Sequence, residues 1–177
     1  MRRRGFCRRA AGTAIGTGVL VTDSFLPAKA QLTGHESQQI GEIYELQAAF
    51  HRAKSTQDID LMMSLWDPNG ILNVQGDPNS PYIGAIRLRA FWLASGSFTH
   101  RRLSLVPSHK TRINVSGNQA SLYFECHDVG DYDLSTRFIA ADAFLAGTLK
   151  NLNGKWVFSD MTAGKSFPLS VDHYYFP

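Results

Sequence analysis

The chain has 177 residues, a formal charge of +3 and a pI of about 9.0, values that alone would suit a protein seeking nucleic acid or an anionic membrane. Six of the 18 Lys and Arg residues but only one of the 15 Asp and Glu lie in residues 1–30, so residues 31–177 hold 12 basic and 14 acidic side chains and carry −2. A nucleic-acid role thereby loses its main support, and 147 residues with one cysteine, Cys126, describe a single domain held by core burial rather than by an internal disulfide.

Residues 1–30 read as an export signal. Arg3-Arg4-Gly5-Phe6-Cys7-Arg8 resembles the twin-arginine consensus, Ala10 to Val21 is weakly apolar and too short for a permanent span, and Pro27-Ala28-Lys29-Ala30 supplies a small-x-small cleavage pattern. The expectation is cleavage after Ala30 and a periplasmic or secreted bacterial protein without stable membrane insertion. No later apolar run is long enough to span a bilayer.

Ile40, Ile43, Tyr44, Gln47 and Phe50 recur at helical spacing and predict a helix over about 36–54. Asp58 is placed to cap a short helix from Ile59 to Trp66, which Asp67-Pro68-Asn69-Gly70 would end. Residues 71–74 predict a short strand, and 84–94 a third helix with Ile86, Leu88, Phe91, Trp92 and Leu93. From His109 the period changes to two. Strands are predicted over 109–115, 119–129, 138–151 and 155–162, with Ser116-Gly117-Asn118 and Asn153-Gly154 as tight turns and 130–137 as a polar loop. Helices followed by an antiparallel sheet make an α+β pattern.

This order resembles the nuclear transport factor 2-like superfamily, which includes the SnoaL-like polyketide cyclases, scytalone dehydratase and ketosteroid isomerase. The matching phrases are Asp58-Ile59-Asp60 running into Met63-Ser64-Leu65-Trp66, Gly84 with Ile86-Arg87 and Phe91-Trp92, His109 leading to Ile113 through Ala120, and Gly154-Lys155-Trp156-Val157-Phe158. They cover roughly residues 36–165. The resemblance implies a cone: a strongly curved antiparallel sheet closed by three N-terminal helices, holding a small apolar or hydroxylated molecule without a cofactor, in a homodimer formed through the sheet's outer face.

Ketosteroid isomerase uses a carboxylate base, a tyrosine and a protonated aspartic acid. Here the base position falls near Val74 and the tyrosine near Phe50, and only Asp142 lies where the acid would be. Steroid isomerisation is therefore not the first reading. Asp142, in Ala140-Ala141-Asp142-Ala143-Phe144, stands out as an acid on a central apolar strand; the alternative is an edge or dimer-face carboxylate paired with Arg or Lys. His109 and His127 could reach one end of the sheet through their hairpin, with Tyr44 and Asp58 or Asp60 filling the remaining places in the loose resemblance to dehydratases. His51 and His100 read as surface residues. Phe50, Trp66, Phe91, Trp92 and Met161 are the expected cavity lining, or simply core. No metal-ligand spacing is present. Two functions stay open: a ligand-binding lyase or isomerase of the dehydratase or cyclase type, and a non-catalytic carrier or interaction module whose cavity is filled by side chains. Convergence of Asp142, His109 and Tyr44 on one open pocket would decide for the enzyme.

Overall fold

A computed structural model describes residues 34–99, 102–131 and 138–166; the leader and its cleavage site lie outside them. The first helix, α1 (Gly34–Thr56), is followed by α2 (Ile59–Ser64), whose N-cap Asp58 accepts the Leu61 N–H at 2.8 Å. Strand β1 (Trp66–Val74) turns through residues 75–81 into the two-residue β2 (Tyr82–Ile83), and α3 (Gly84–Ala94) and the single turn α4 (Gly96–Thr99) come next. Four strands follow among the described residues: β3 (Arg102–Ser116), β4 (Gln119–Asp131), β5 (Phe138–Leu152) and β6 (Lys155–Lys165).

The six strands form one sheet in the order β2-β1-β6-β5-β4-β3. The expected antiparallel sheet is corrected at one seam, because β1 runs parallel to β6, with Leu72 opposite Met161 and Val74 opposite Ala163. A parallel neighbour requires a long crossover, and everything from β2 to β5 supplies it. The helical part also departs from three helices in a row: four helices occur among the described residues, and β1 and β2 interrupt them. Strand β1 begins at Trp66, five residues before the predicted start, because Asp67-Pro68-Asn69-Gly70 bulges out of the strand instead of ending a helix.

Side chains alternate along β4, and Phe124 lies 5.5 Å from Phe50 of α1, so the even-numbered residues of β4 face the helices. That inner face, with Leu122, Phe124, Leu145, Leu149, Phe158 and Met161, packs against Ile43, Leu46, Phe50, Leu88 and Trp92. Phe50 is its hub, edge-on to Trp92 at 5.6 Å, Phe124 at 5.5 Å and Phe158 at 5.6 Å. Such ring pairs add ~0.5–1.5 kcal/mol each beyond the area they bury.

Candidate functional site

The buried side chains of α1 are Ile43, Leu46, Gln47, Phe50, Ala53 and Lys54, the three-and-four spacing of one helical face. Gln47 and Lys54 carry polar groups into that face while remaining 6% and 4% exposed. Lys54 Nζ donates to both carboxylate oxygens of Asp128 on β4, at 2.9 and 2.7 Å, and lies 5.6 Å from the Phe50 ring centroid. Gln47 Nε2 donates to Thr111 Oγ1 on β3 at 3.4 Å, a long bond, and Cys126 Sγ lies 3.5 Å from Asp128. Burial pushes the Cys126 thiol up to about 12, which removes it as a nucleophile at neutral pH.

His51 stands one turn from Gln47 and between two rings, edge-on to Phe124 at 5.4 Å and to Phe50 at 6.0 Å. The open-surface placement expected for it is corrected to a half-buried one, because its ring packs against those of Phe124 and Phe50. Burial, reinforced by the positive charge of Lys54 and opposed by Asp128, lowers its pKa from 6.5 to about 4. His51 Nε2 and Gln47 Oε1 are both buried and have no hydrogen-bond partner among the described residues, and the same holds for the indole N–H groups of Trp66 and Trp92 deeper in the core. Each such group costs about 1–3 kcal/mol unless something binds it.

A neutral His51 makes stability depend on pH. In the unfolded chain the imidazole takes its proton near 6.5, in the folded chain only near 4, so the unfolded state binds more protons between those values. Its contribution is complete above pH 6.5, falls as pH drops towards 4, and is constant below. Urea unfolding at pH 7 and pH 4.5 should show a loss that His51→Gln reduces; an equal loss in both proteins would refute this assignment.

The other candidates are not brought together. Tyr44 is 51% exposed on the solvent side of α1, and Asp58 is committed to capping α2. His127 and Asp142 are cross-strand neighbours on β4 and β5, and Nδ1 of the histidine meets Oδ1 of the aspartate. They sit on the odd-numbered face of β4, opposite the helices, so Asp142 finds a histidine rather than Arg or Lys and points away from the helix side of the sheet. His109 lies on β3 in the stretch between Pro107 and Thr111 where the pairing with β4 shifts; its side chain, like those of His100 and of residues 129–141, is outside the described set. Asp142 and Tyr44 thus point to different surfaces. Among the cavity-lining candidates, Phe50, Trp66, Trp92 and Met161 are at most 5% exposed and pack in the core. Phe91 instead lines a groove between α3 and the 77–82 loop. No group of three or more His, Cys, Asp or Glu side chains able to hold a metal occurs among the described residues.

The outer face has an organisation of its own. The rings of Tyr123 and Phe144 stack at 6.0 Å, Lys110 pairs with Glu125 at 3.0 Å, and the Tyr123 hydroxyl donates to Glu125. That bond pushes Tyr123 up to about 12. Burial works against the charge on Glu125, but its bonds to Tyr123 and Lys110 outweigh burial and hold the carboxyl below its usual value. A groove of about 590 Å³ is lined by Lys110, Thr111, Arg112, Tyr123 and Glu125.

Sequence reading had noted Gln47 as a member of the helical stripe but missed Lys54 and Asp128 as site residues. The signal for Lys54 was present, since it continues the stripe one turn beyond Phe50. Asp128 required the strand register.

No protein-family model matches the chain, and no curated protein matches it. Solved structures do. A candidate scytalone dehydratase from Novosphingobium aromaticivorans superposes with a TM-score of 0.67 at 14% identity, over 77% of this chain and 89% of that one. Hexachlorocyclohexane dehydrochlorinase LinA-type3 from Novosphingobium barchaimii gives a TM-score of 0.63 at 14% identity, covering 74% and 88%. An NTF2-like protein with a cystatin-like fold, also from N. aromaticivorans, gives 0.62 at 14% identity, covering 84% and 99%. Likeness at this level of identity establishes architecture, and the architecture here is the cystatin-like α+β fold of the NTF2-like proteins.

Proposed function

We propose that the protein binds a small, largely apolar, hydroxylated molecule on the helix side of its sheet, with Gln47 and His51 as the polar anchors. The observation that carries this reading is the pair of buried, unpartnered atoms Gln47 Oε1 and His51 Nε2 on successive turns of α1, flanked by aromatic rings. Gln47 Oε1 can only accept, so it selects a ligand hydroxyl or N–H. The neutral imidazole can donate or accept there, and the indole N–H of Trp92, which touches Phe50, would take a carbonyl or ether oxygen. Two of the fold-mates above are a candidate dehydratase and a dehydrochlorinase, which supports a small-molecule role for this architecture.

Binding is favoured over proton transfer. General-base catalysis works best when the base titrates near the working pH, and His51 titrates near 4. His127, whose Nδ1 is held by Asp142 in the manner of a catalytic base, lies on the wrong face for a ligand inside the cone. The reading therefore combines a binding protein with the expectation of export: a leader cleaved after Ala30 and a periplasmic or secreted location. The outer face, with its stacked rings and ion pairs, is the surface on which a second copy would pair. Precursor processing in a bacterial host and sedimentation of the processed protein test these two parts.

For the central proposal the measurement is a thermal-shift and calorimetric screen against hydroxylated aromatics, polyketides and terpenoids. A bound ligand should raise Tm. His51→Leu and Gln47→Leu should each weaken binding by about tenfold, and His51→Leu should leave the unliganded protein at least as stable, because it removes a buried polar atom that has no partner among the described residues. The proposal is wrong if no compound shifts Tm, or if both variants bind like the parent.

A further inference from the structure

On a different side of α1 from Gln47 and His51, a groove of about 290 Å³ runs between the helix and the start of β6. Leu46 and Ala49 of α1, Leu65 at the end of α2 and Trp156 of β6 make its apolar lining, and Leu46, Leu65 and Trp156 are at most 5% exposed. The space exists because two residues around it are small. Ala49 is one; the other is Gly154, at φ +84 in the turn between β5 and β6, where a β-carbon would meet nothing within 4 Å. The walls are held without an occupant. The Phe158 N–H donates to the Leu65 carbonyl at 2.8 Å, the Gly154 N–H to Asn151 Oδ1 at 2.9 Å, and Lys155 Nζ to the Ser64 carbonyl at 2.9 Å.

Two features of this groove point to a ligand. Glu42 and Glu45, three positions apart on α1, line it together, and neither forms an ion pair among the described residues. Asp60, Asp67, Glu125, Asp128 and Asp142 each have a basic partner, whereas Glu42 accepts only the Gln38 side-chain amide, at 3.0 Å. The second feature is Trp156. Its indole N–H is buried and has no acceptor among the described residues, a costly state for a donor unless an oxygen from elsewhere reaches it. A carboxylate pair and an unanswered donor therefore border one apolar groove.

We propose that this groove binds a small organic amine that carries an ether or hydroxyl oxygen, at a site separate from that of Gln47 and His51. The ammonium lies at Glu42 and Glu45, the apolar body covers Leu46, Ala49 and Leu65, and the oxygen accepts the Trp156 indole N–H. Charge selects the cation. Two carboxylates against one lysine, whose ammonium already donates to a carbonyl, leave the groove negative, so an acid is repelled and a neutral analogue gains only the burial. Indole is also the aromatic ring that attracts cations most strongly. Volume sets the size: a water takes about 30 Å³ of liquid, so the groove admits a molecule of about ten non-hydrogen atoms.

Titration of the full chain, isotope-labelled at its tryptophans, with phenoxyethylamine tests this, with neutral phenoxyethanol and anionic phenoxyacetate as comparisons. The indole N–H signal assigned to Trp156 through Trp156→Phe should move, while those of Trp66 and Trp92 in the core stay in place. The amine should bind about tenfold more tightly than phenoxyethanol, and Glu42→Gln with Glu45→Gln should remove that advantage without changing the affinity for phenoxyethanol. Raising the salt concentration should weaken the amine alone. Ala49→Leu, which fills the groove, should abolish binding of both. Four results would each overturn the proposal: no movement of the Trp156 signal at millimolar amine; movement of the Trp92 signal instead, which puts the amine at the site of Gln47 and His51; equal affinity for the amine and phenoxyacetate; or an unchanged affinity for the amine in the double glutamine variant.

Discussion

Replacing Lys54 by Met should destabilise the fold by about 4 kcal/mol, measured as a lower urea midpoint at an unchanged slope. Lys54 is buried, donates to both oxygens of Asp128, and its Nζ lies 5.6 Å from the Phe50 ring centroid, so its stem and its charge are both committed. Met keeps the volume of the stem and removes the charge, leaving an Asp128 side chain that is only 21% exposed without its counter-ion. The cost is the stranded carboxylate rather than the net worth of the pair, because two buried ions lose on desolvation much of what they gain from each other. It follows that Lys54→Met combined with Asp128→Leu should recover most of the loss. The exposed pair Arg89 with Asp60 makes the control, since Arg89→Met should change stability by ~0.5 kcal/mol or less. A Lys54→Met loss below about 1 kcal/mol would mean that water reaches the pair, and the low-dielectric setting assumed for His51 beside it would fall as well.

The Lys54 to Asp128 pair also shows where sequence reading stops. Its members are 74 positions apart and belong to a helix and a strand whose separate existence was legible. The 3.6-residue period identifies α1 and puts Ile43, Gln47 and Phe50 on its buried face, but it adds Tyr44, which is exposed, and leaves out Leu46, Ala53 and Lys54. Phase depends on how a helix lies against the sheet, which its own pattern only approximates. The hairpin at Ser116-Gly117-Asn118 came out as expected, with Ser116 opposite Gln119, because a two-residue turn dictates its register locally. The pairing of His127 with Asp142 could not come out that way, since residues 132–137 join those strands and no short turn sets their register. Both residues had been singled out for their chemistry, and only the register showed that they belong to each other and to the outer face. In the same way the turn residues of Asp67-Pro68-Asn69-Gly70 predict the end of a helix, whereas they form an irregular stretch within β1. That a strand continues on both sides of it depends on β6, which is some ninety positions away.

Gly147→Ala should be the most damaging single substitution of a small residue, costing about 5 kcal/mol or more and leaving little folded protein. Gly147 adopts φ +152, and a β-carbon there would lie 2.1 Å from the Asp160 carbonyl oxygen and 2.8 Å from the Met161 α-carbon. Both neighbours are backbone, so no side chain can swing away. The close approach coincides with an irregularity in β6: Thr148 pairs with Asp160 but Leu149 with Phe158, which leaves Ser159 as an extra residue. That insertion puts Phe158 and Met161, three positions apart, on the same inner face, each at 0% exposure. Glycine on one strand and a bulge on the next are the devices that bend a sheet, and here they bend it beneath Phe50 and the helix that carries Gln47 and His51. Forcing the two strands apart would therefore cost the aromatic core and the candidate site together. Gly41→Ala provides the contrast, since that glycine lies within α1 with nothing within 4 Å of a β-carbon, and the change should stabilise the protein by ~0.5–1 kcal/mol. Soluble yield, circular dichroism and thermal unfolding of the two variants side by side would decide the matter. A Gly147→Ala protein that unfolds like its parent would show that the curvature of the sheet does not depend on the missing side chain.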